Sequence, residues 1–508
     1  MGTPFSDAPL PTLLSVTPGA CSPSFKTSRE PTVRMRPILP AALFCILIVS
    51  GSSLLAQKSF RFDPSRPLAP YRTMAAPLAV ADTVRLLGIM VQFPVDADPR
   101  TTGNGHFDSV VTHPAIIDPP PHNAAYFTNK MKFVENYFRR ASDGALFVKG
   151  DLLPSVLTVD RPMSEYARAT TPAFAGLARL AFEGWRKADS ASPGTDFASY
   201  DAFVLFHAGA GKDIDLVGIL GYDPAPYDLP SVYLGLEALR KGLDSADFNG
   251  IAVSGGAFRI TNTMILPETE TRVFSSSSGS DTLELSLNGL FAASVGSHLG
   301  LPDLFDTKTG RPGIGQFGLM DGASIFAYQG ICPPEPSAWE KVRLGWVTPI
   351  DVDGPVDTLR LPAVGLTTTA DTVYRVRINA SEYYLIENRI RDPLGNGQRL
   401  TVFRNGLTSI LAIPTDSTGF YTFDNITGID GSVIDVEDLD WSLVGRFGIE
   451  GRFDGGGILI WHIDEDRIAA GLEDNTVNAD PDHRGVDLEE ADGSQDLGQS
   501  YEFLSGGS

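Results

Sequence analysis

The sequence predicts an α/β or α+β domain over residues 84–352, with a β-rich region over 353–508 packed after it. Three observations carry that expectation. VRLLGIMVQF at 84–93 and YDAFVLFH at 200–207 are continuous apolar runs of strand length. Segments with apolar residues every three or four positions lie between and after them, the pattern of helices with one covered face. Beyond Trp346 the helical period gives way to short alternating stretches such as Thr372–Ile378, where Val376 and Ile378 alternate with Arg375 and Arg377.

The 508 residues are enough for two or three domains and a sizeable core. A formal charge of −22 argues against a nucleic-acid or anionic-membrane surface. It reads as a solvated acidic surface, with room for calcium or basic partners.

Residues 1–56 read as an N-terminal extension and a secretory signal. Arg34-Met35-Arg36 precedes the apolar run Ile38–Val49, and Leu54-Leu55-Ala56 supplies a small residue for cleavage. The run is short for a membrane span, so the expectation is a secreted chain with no stable membrane span after cleavage. The periplasm or cell surface are alternatives, and Met35 is an alternative start. Of three cysteines, Cys21 and Cys45 leave with this segment and Cys332 stays alone, so the mature chain has no internal disulfide. Residues 57–83 are Pro-, Ala- and Arg-rich without a period, a linker or vestigial pro-segment.

The strand at 84–93 stops at Pro94. A helix over 125–140 puts Phe127, Met131, Val134 and Phe138 on one face and ends at Asp143-Gly144; a strand starts at Ala145–Val148. A second helix covers 173–186. Ala208–Asp213 after the second strand invites a phosphate-loop reading, but Phe206 and Asp213 stand where a Walker loop needs Gly and Ser or Thr, so a strand-to-loop turn is expected. Residues 270–280, with four consecutive serines, read as a flexible surface loop. Thr358–Leu361, Thr372–Ile378, EYYLIEN at 382–388 and GGILIWHI at 456–463 read as strands.

The most pointed stretch is Leu283–Asp303. Leu283, Leu287, Leu290, Phe291, Val295 and Leu299 form an amphipathic helical stripe, with Asp281 and Glu284 spaced as a capping box and Gly300 and Pro302 as the stop. Leu304-Phe305-Asp306, Phe317-Gly318-Leu319-Met320-Asp321, Ser337-Ala338-Trp339-Glu340-Lys341 and Leu344-Gly345-Trp346 follow. This ordered set resembles the immune inhibitor A-type family of secreted zinc metallopeptidases, whose helix carries HExxHxxGxxD and whose Met-containing turn lies under the metal. The likeness is specific from Gly300 to Trp346. It is looser elsewhere, carried by Glu135-Asn136-Tyr137-Phe138, Ser142-Asp143-Gly144, the strands at 382–388 and 456–463, and Val486–Gly493. It implies a zincin/metzincin-like domain with the central helix lining a cleft, and assigns Met320 to the Met-turn. The chain ends at Ser508, where such proteins continue, which leaves truncation open.

With Gly300, Leu301, Pro302 and Asp303 fixing the register, the first His, the Glu and the second His of the motif fall on Ala293, Ser294 and Ser297. An HExxH helix works because residues i and i+4 point the same way and two imidazoles converge on zinc, while the Glu activates the bound water. Ala293 and Ser297 offer no strong donor, and Ser294 is no base. Only Asp303, at the third-ligand position, remains. Structural four-ligand zinc sites bind with about 10–16 kcal/mol, roughly 3–4 per ligand if shared evenly, so one carboxylate gives affinity on the order of millimolar. His298 is turned about 100° from the lost ligand position and reads as a helix-terminal histidine. His207 and His462 read as structural, and the loop histidines His106, His113, His122 and His483 carry no signal. Asp303 is expected to cap the turn or to pair with a basic residue; Asp303 and Asp306 together can also offer oxygens to calcium. A Ser-His-Asp reading of Ser294 or Ser297 with His298 has no elbow motif behind it.

The expected function is therefore a secreted metallopeptidase homologue without catalysis, a pseudo-peptidase with a binding or structural role, no cofactor, and a protein or peptide ligand in the cleft. Two alternatives stand beside it. One is an active zinc metalloendopeptidase using a non-standard ligand set such as His298 and Asp303; the other is a calcium-dependent surface or adhesion module.

Overall fold

The computed structural model describes residues 61–67, 83–109, 117–168, 171–276, 279–366, 372–394, 396–413, 429–443, 456–491 and 493–498. The signal-like stretch lies outside them.

Both apolar runs form strands, β1 (Thr83–Gln92) and β3 (Ala202–Ala210). They are the middle of a five-stranded sheet in the order β2 (Phe147–Thr158), β1, β3, β5 (Thr263–Thr269) and β4 (Val232–Leu234). The first four run parallel; β4 is an antiparallel edge. Continuous apolar strands are what a sheet covered on both faces requires. On one face Leu86, Met90, Val204 and Phe206 meet helix α1 (Ala124–Ala141) and helix α3 (Asn288–Leu299). On the other, Leu87, Ile89, Val91 and Leu205 meet helix α2 (Ala175–Ala191).

Helix α1 follows the expected stripe: Phe127, Met131, Val134 and Phe138 are all buried. Asn123 caps it by accepting from the Ala125 and Tyr126 N–H groups, and Asp143 (φ 50°) and Gly144 (φ 80°) turn the chain out. Lys130 is buried on the same face, where the hydrophobic pattern concealed it. Its ammonium reaches both Asp118 oxygens at 2.5 Å, Asn288 Oδ1 at 2.9 Å and Ser286 Oγ at 3.2 Å. One buried cation thus joins α1 to the entry of the central helix.

Three expectations about that entry are corrected. The serine-rich 270–280 segment contains strand β6 (Arg272–Ser276), which pairs antiparallel with β7 (Gly279–Leu283). The helix begins at Asn288, five residues after the expected start, because Leu283 belongs to that hairpin. Asp281 is then a strand residue rather than half of a capping box, and Glu284 accepts from the Ile117 N–H instead.

The C-terminal residues build two further sheets. Ile350–Asp351, β8 (Tyr374–Arg377), β9 (Glu382–Ile390), β13 (Gly456–Asp464) and β14 (Val486–Leu488) form one, in that order. Strands β11 (Leu407–Ile413), β10 (Gln398–Arg404) and β12 (Ser432–Val436) form the other. Thr358–Leu361 is not a strand: it is an irregular, largely exposed segment of the connection from Ile350–Asp351 to β8. The apolar core is continuous from Val84 to Leu488. Polar ties cross it as well: Asn136 donates to Ile434 O at 2.8 Å, Arg140 pairs with Asp435, and Asn288 donates to Val433 O at 3.0 Å. Arg389, fully buried, is held by Asp440, Glu387 and the Glu335 and Phe317 carbonyls. The result is a mixed α/β fold with several sheets.

Candidate functional site

Helix α3 is covered nearly all round. Gly289 packs so closely that a Cβ there would lie 1.9 Å from Ile325 O. At the other end Gly300 adopts φ 104° and its N–H returns to Gly296 O and Ser297 O, the left-handed stop that the sequence announced. Ala293 and Ser294 are buried, and the Ser294 hydroxyl donates to Leu290 O at 2.8 Å, an ordinary in-helix bond. His298 sits in the last turn with its ring 6.0 Å from that of Tyr233.

Asp303 lies beyond the Gly300 turn and is engaged by one side chain. Asn475 accepts the Asp303 N–H at 2.9 Å and donates to Asp303 Oδ2 at 2.7 Å. Burial raises the Asp303 pKa, with the Arg66 charge and the Asn475 bond opposing. Asp306 turns its oxygens on its own loop, toward the Lys308 N–H and the Thr309 hydroxyl. Met320 is buried beneath the helix, its sulfur against Gly296. Its N–H goes to Glu340 Oε1 at 2.9 Å, and Asp321 accepts the N–H groups of Gly313, Ile314, Gly315 and Ala323. The two acids of the Met and Trp segments therefore hold backbone.

The segment expected to be a linker enters this site. Residues 61–67 cross it as a strap. Phe62 is buried, bridges to Ile214 and packs 4.5 Å from the Phe305 ring and 5.6 Å from the Phe326 ring. Arg61 pairs with Asp215, and Arg66 donates to Ser231 O at 2.9 and 3.0 Å with Asp213 Oδ1 at 3.3 Å. Between strap and helix remains a cavity of about 40 Å³, lined by Arg66, Ser297, Asp303, Tyr233 and Asn475 among others. Arg66 enters an acidic setting. Glu270 is buried, and burial and the neighbouring Asp213 push its pKa well up. Phe62 was the available signal, one of three aromatics with Phe60 and Tyr71 in an otherwise Pro-, Ala- and Arg-rich stretch.

A zinc ion as the metallopeptidase motif would hold it does not fit these residues. Of the four motif positions only Asp303 carries a metal-binding group, and the Arg66 guanidinium lines the same cavity.

A second constellation went unread. At the C-terminal ends of β1, β3 and β5, Asp108, His122 and Glu268 each present a ligand atom within 4.8 Å of the others. His122 Nδ1 meets Glu268 Oε1 at 2.7 Å and its Nε2 meets Asp118 O at 2.9 Å. The backbone N–H groups of Asp108 and Gly209 donate to Glu268 at 2.5 and 2.9 Å. Burial works against charge on His122, but the Glu268 bond and charge prevail and raise its pKa. These residues open on a cavity of about 380 Å³. His122, a loop histidine with no motif around it, is 4% exposed. The usable hint was Glu268, an acidic residue within the otherwise uncharged, buried strand β5. His207 is buried, with Nδ1 at 3.0 Å from Ala208 O and its pKa lowered by burial. His462 lies beside Glu382 at 3.3 Å.

A scan against protein-family models and a search of curated proteins gave no match. Among the described residues no helix is long and apolar enough to cross a membrane.

Proposed function

We propose that this chain is a secreted homologue of the immune inhibitor A-type metallopeptidases that no longer hydrolyses peptides and serves in binding or structure. The observation that carries the reading is the filling of the motif site by the protein's own strap. Where the family sets two imidazoles and a glutamate, this helix has Ala293, Ser297 and Ser294, and Arg66 brings positive charge to the side of Asp303. The central helix beside an antiparallel edge strand, the Gly300 turn and the Met320 segment support a zincin-like ancestry. Export is supported by the basic-then-apolar run at 34–56. The partner we favour is an extended peptide lying along the edge of Val232–Leu234, in competition with the strap, whose Arg66 holds Ser231 O at the start of that edge.

The test is hydrolysis of casein and of quenched peptides by the purified chain, with and without added zinc. No turnover above buffer is expected. Turnover that disappears in Asp303→Asn overturns the reading. Zinc that binds without hydrolysis, and regardless of Asp303→Asn, leaves it standing.

A further inference from the structure

We propose that the cavity at the C-terminal ends of β1, β3 and β5 binds a divalent transition-metal ion through His122 Nδ1, Glu268 and Asp108. This is independent of the reading above and uses none of the same residues.

The location is the first argument. The chain leaves β1 for β2 on one side and then crosses to β3 on the other, so the loops after β1 and β3 part at that point. Such a switch point, outside the carboxyl ends of parallel strands, is where open α/β sheets make their ligand crevices. The cavity is lined by the loop after β1 (Thr102, His106, Asp108), the end of β3 (Gly209) and the end of β5 (Glu268).

The donor set is the second. One imidazole and two carboxylates suit zinc or manganese better than calcium, which takes six or more oxygens. Tetrahedral zinc sets its ligand atoms about 3.4 Å apart. The His122–Glu268 pair stands at 2.7 Å and all three ligand atoms lie within 4.8 Å of one another, a spacing compatible with that. Closure asks a shift of about 1 Å or less from each member, and Asp108 stands in a loop where it is only partly covered.

Orientation is the third. A metal-binding histidine usually donates its other N–H to a carbonyl or carboxylate, which fixes the ring and the tautomer. His122 has that partner in Asp118 O, and Asp118 is in turn held by Lys130. With Nε2 donating to Asp118 O, Nδ1 and Glu268 Oε1 share a proton in the metal-free protein; a metal ion would take its place between them and release that proton to solvent. Glu268 is aimed by two backbone N–H groups. Three protein ligands facing a cavity leave positions for water or for a ligand carrying a carboxylate or phosphate.

The experiment is titration of the full chain with zinc chloride and, separately, manganese chloride by calorimetry, with cobalt(II) absorption as a reporter of coordination. One equivalent is expected to bind the native chain and to raise its melting temperature. Asp108→Asn, at a partly covered loop position, is expected to fold normally and bind at least tenfold more weakly; His122→Gln is expected to lose the cobalt spectrum. Asp303→Asn is expected to bind as the native chain does. No binding to the native chain overturns the proposal and leaves the triad a buried ion pair. Binding unaffected by Asp108→Asn and His122→Gln, or removed by Asp303→Asn, also overturns it, and the last result would count against the pseudo-peptidase reading instead.

Discussion

Phe62→Ala should unfasten the strap without unfolding the domain. Phe62 is 1% exposed, its ring tilted against Phe305 and edge-to-face with Phe326. Truncating a buried Phe to Ala typically costs about 3–5 kcal/mol, part lost transfer energy and part cavity. The strap forms one short bridge to the rest of the fold, so most of this loss should appear as local opening. Taking about 3 kcal/mol at 1.36 kcal/mol per tenfold, the opening equilibrium rises by roughly 150-fold. Two amides report it directly: Asp63 N–H, bonded to Asp213 O at 2.8 Å, and Asp215 N–H, bonded to Arg61 O at 3.1 Å. Hydrogen exchange at both should accelerate by about two orders of magnitude, while amides of β1 and β3 stay protected. Trypsin should cut after Arg61 correspondingly faster; the Arg66–Pro67 bond stays resistant. Phe62→Leu should fall between. Unchanged exchange at Asp63 and Asp215, or equal acceleration at β1 and β3, would refute the idea of a separately fastened strap.

Three further outcomes follow from the same geometry. Burial, then Asp392 and Glu437, push the Asp438 carboxyl up to about 7. A carboxyl whose folded pKa is raised contributes stability that is present below the unfolded value of about 4 and lost as pH rises toward 7. Thermal melts should therefore show Asp438→Asn more stable than the native chain at pH 8 and no better at pH 4; a pH-independent difference would count against this. Restoring the motif as Ala293→His, Ser294→Glu and Ser297→His should give little zinc binding at this site while Arg66 remains, and measurably tighter binding once Arg66→Ala is added, judged by calorimetry in an Asp108→Asn background. Equal affinity with and without Arg66 would show that the strap does not compete. Gly289→Ala should destabilise by about 1–3 kcal/mol through overpacking, because its Cβ meets the Ile325 carbonyl; a melting temperature within error of native would exclude that contact.

Local rules made much of this protein legible. Continuous apolar runs marked β1 and β3, and the three-to-four spacing of Phe127, Met131, Val134 and Phe138 marked α1, since burial on one or both sides leaves a periodic trace. Gly300 announced a left-handed stop, which the backbone adopts; the register that sets Ala293, Ser294 and Ser297 at motif positions belongs to the proposed reading. Strand β5 and the β6–β7 hairpin escaped because TMILPET mixes apolar and acidic residues, and a serine run looks like a loop until its backbone finds a partner. The same limit hid the two sites that matter most. Phe62 and Arg66 gain meaning only beside Phe305, Asp213 and Ser231. Asp108, His122 and Glu268 are far apart in sequence, and only the parallel sheet, which brings the ends of β1, β3 and β5 to one edge, sets them within bonding reach. Sequence carries periodicity and spacing along the chain; convergence of distant side chains depends on packing across it.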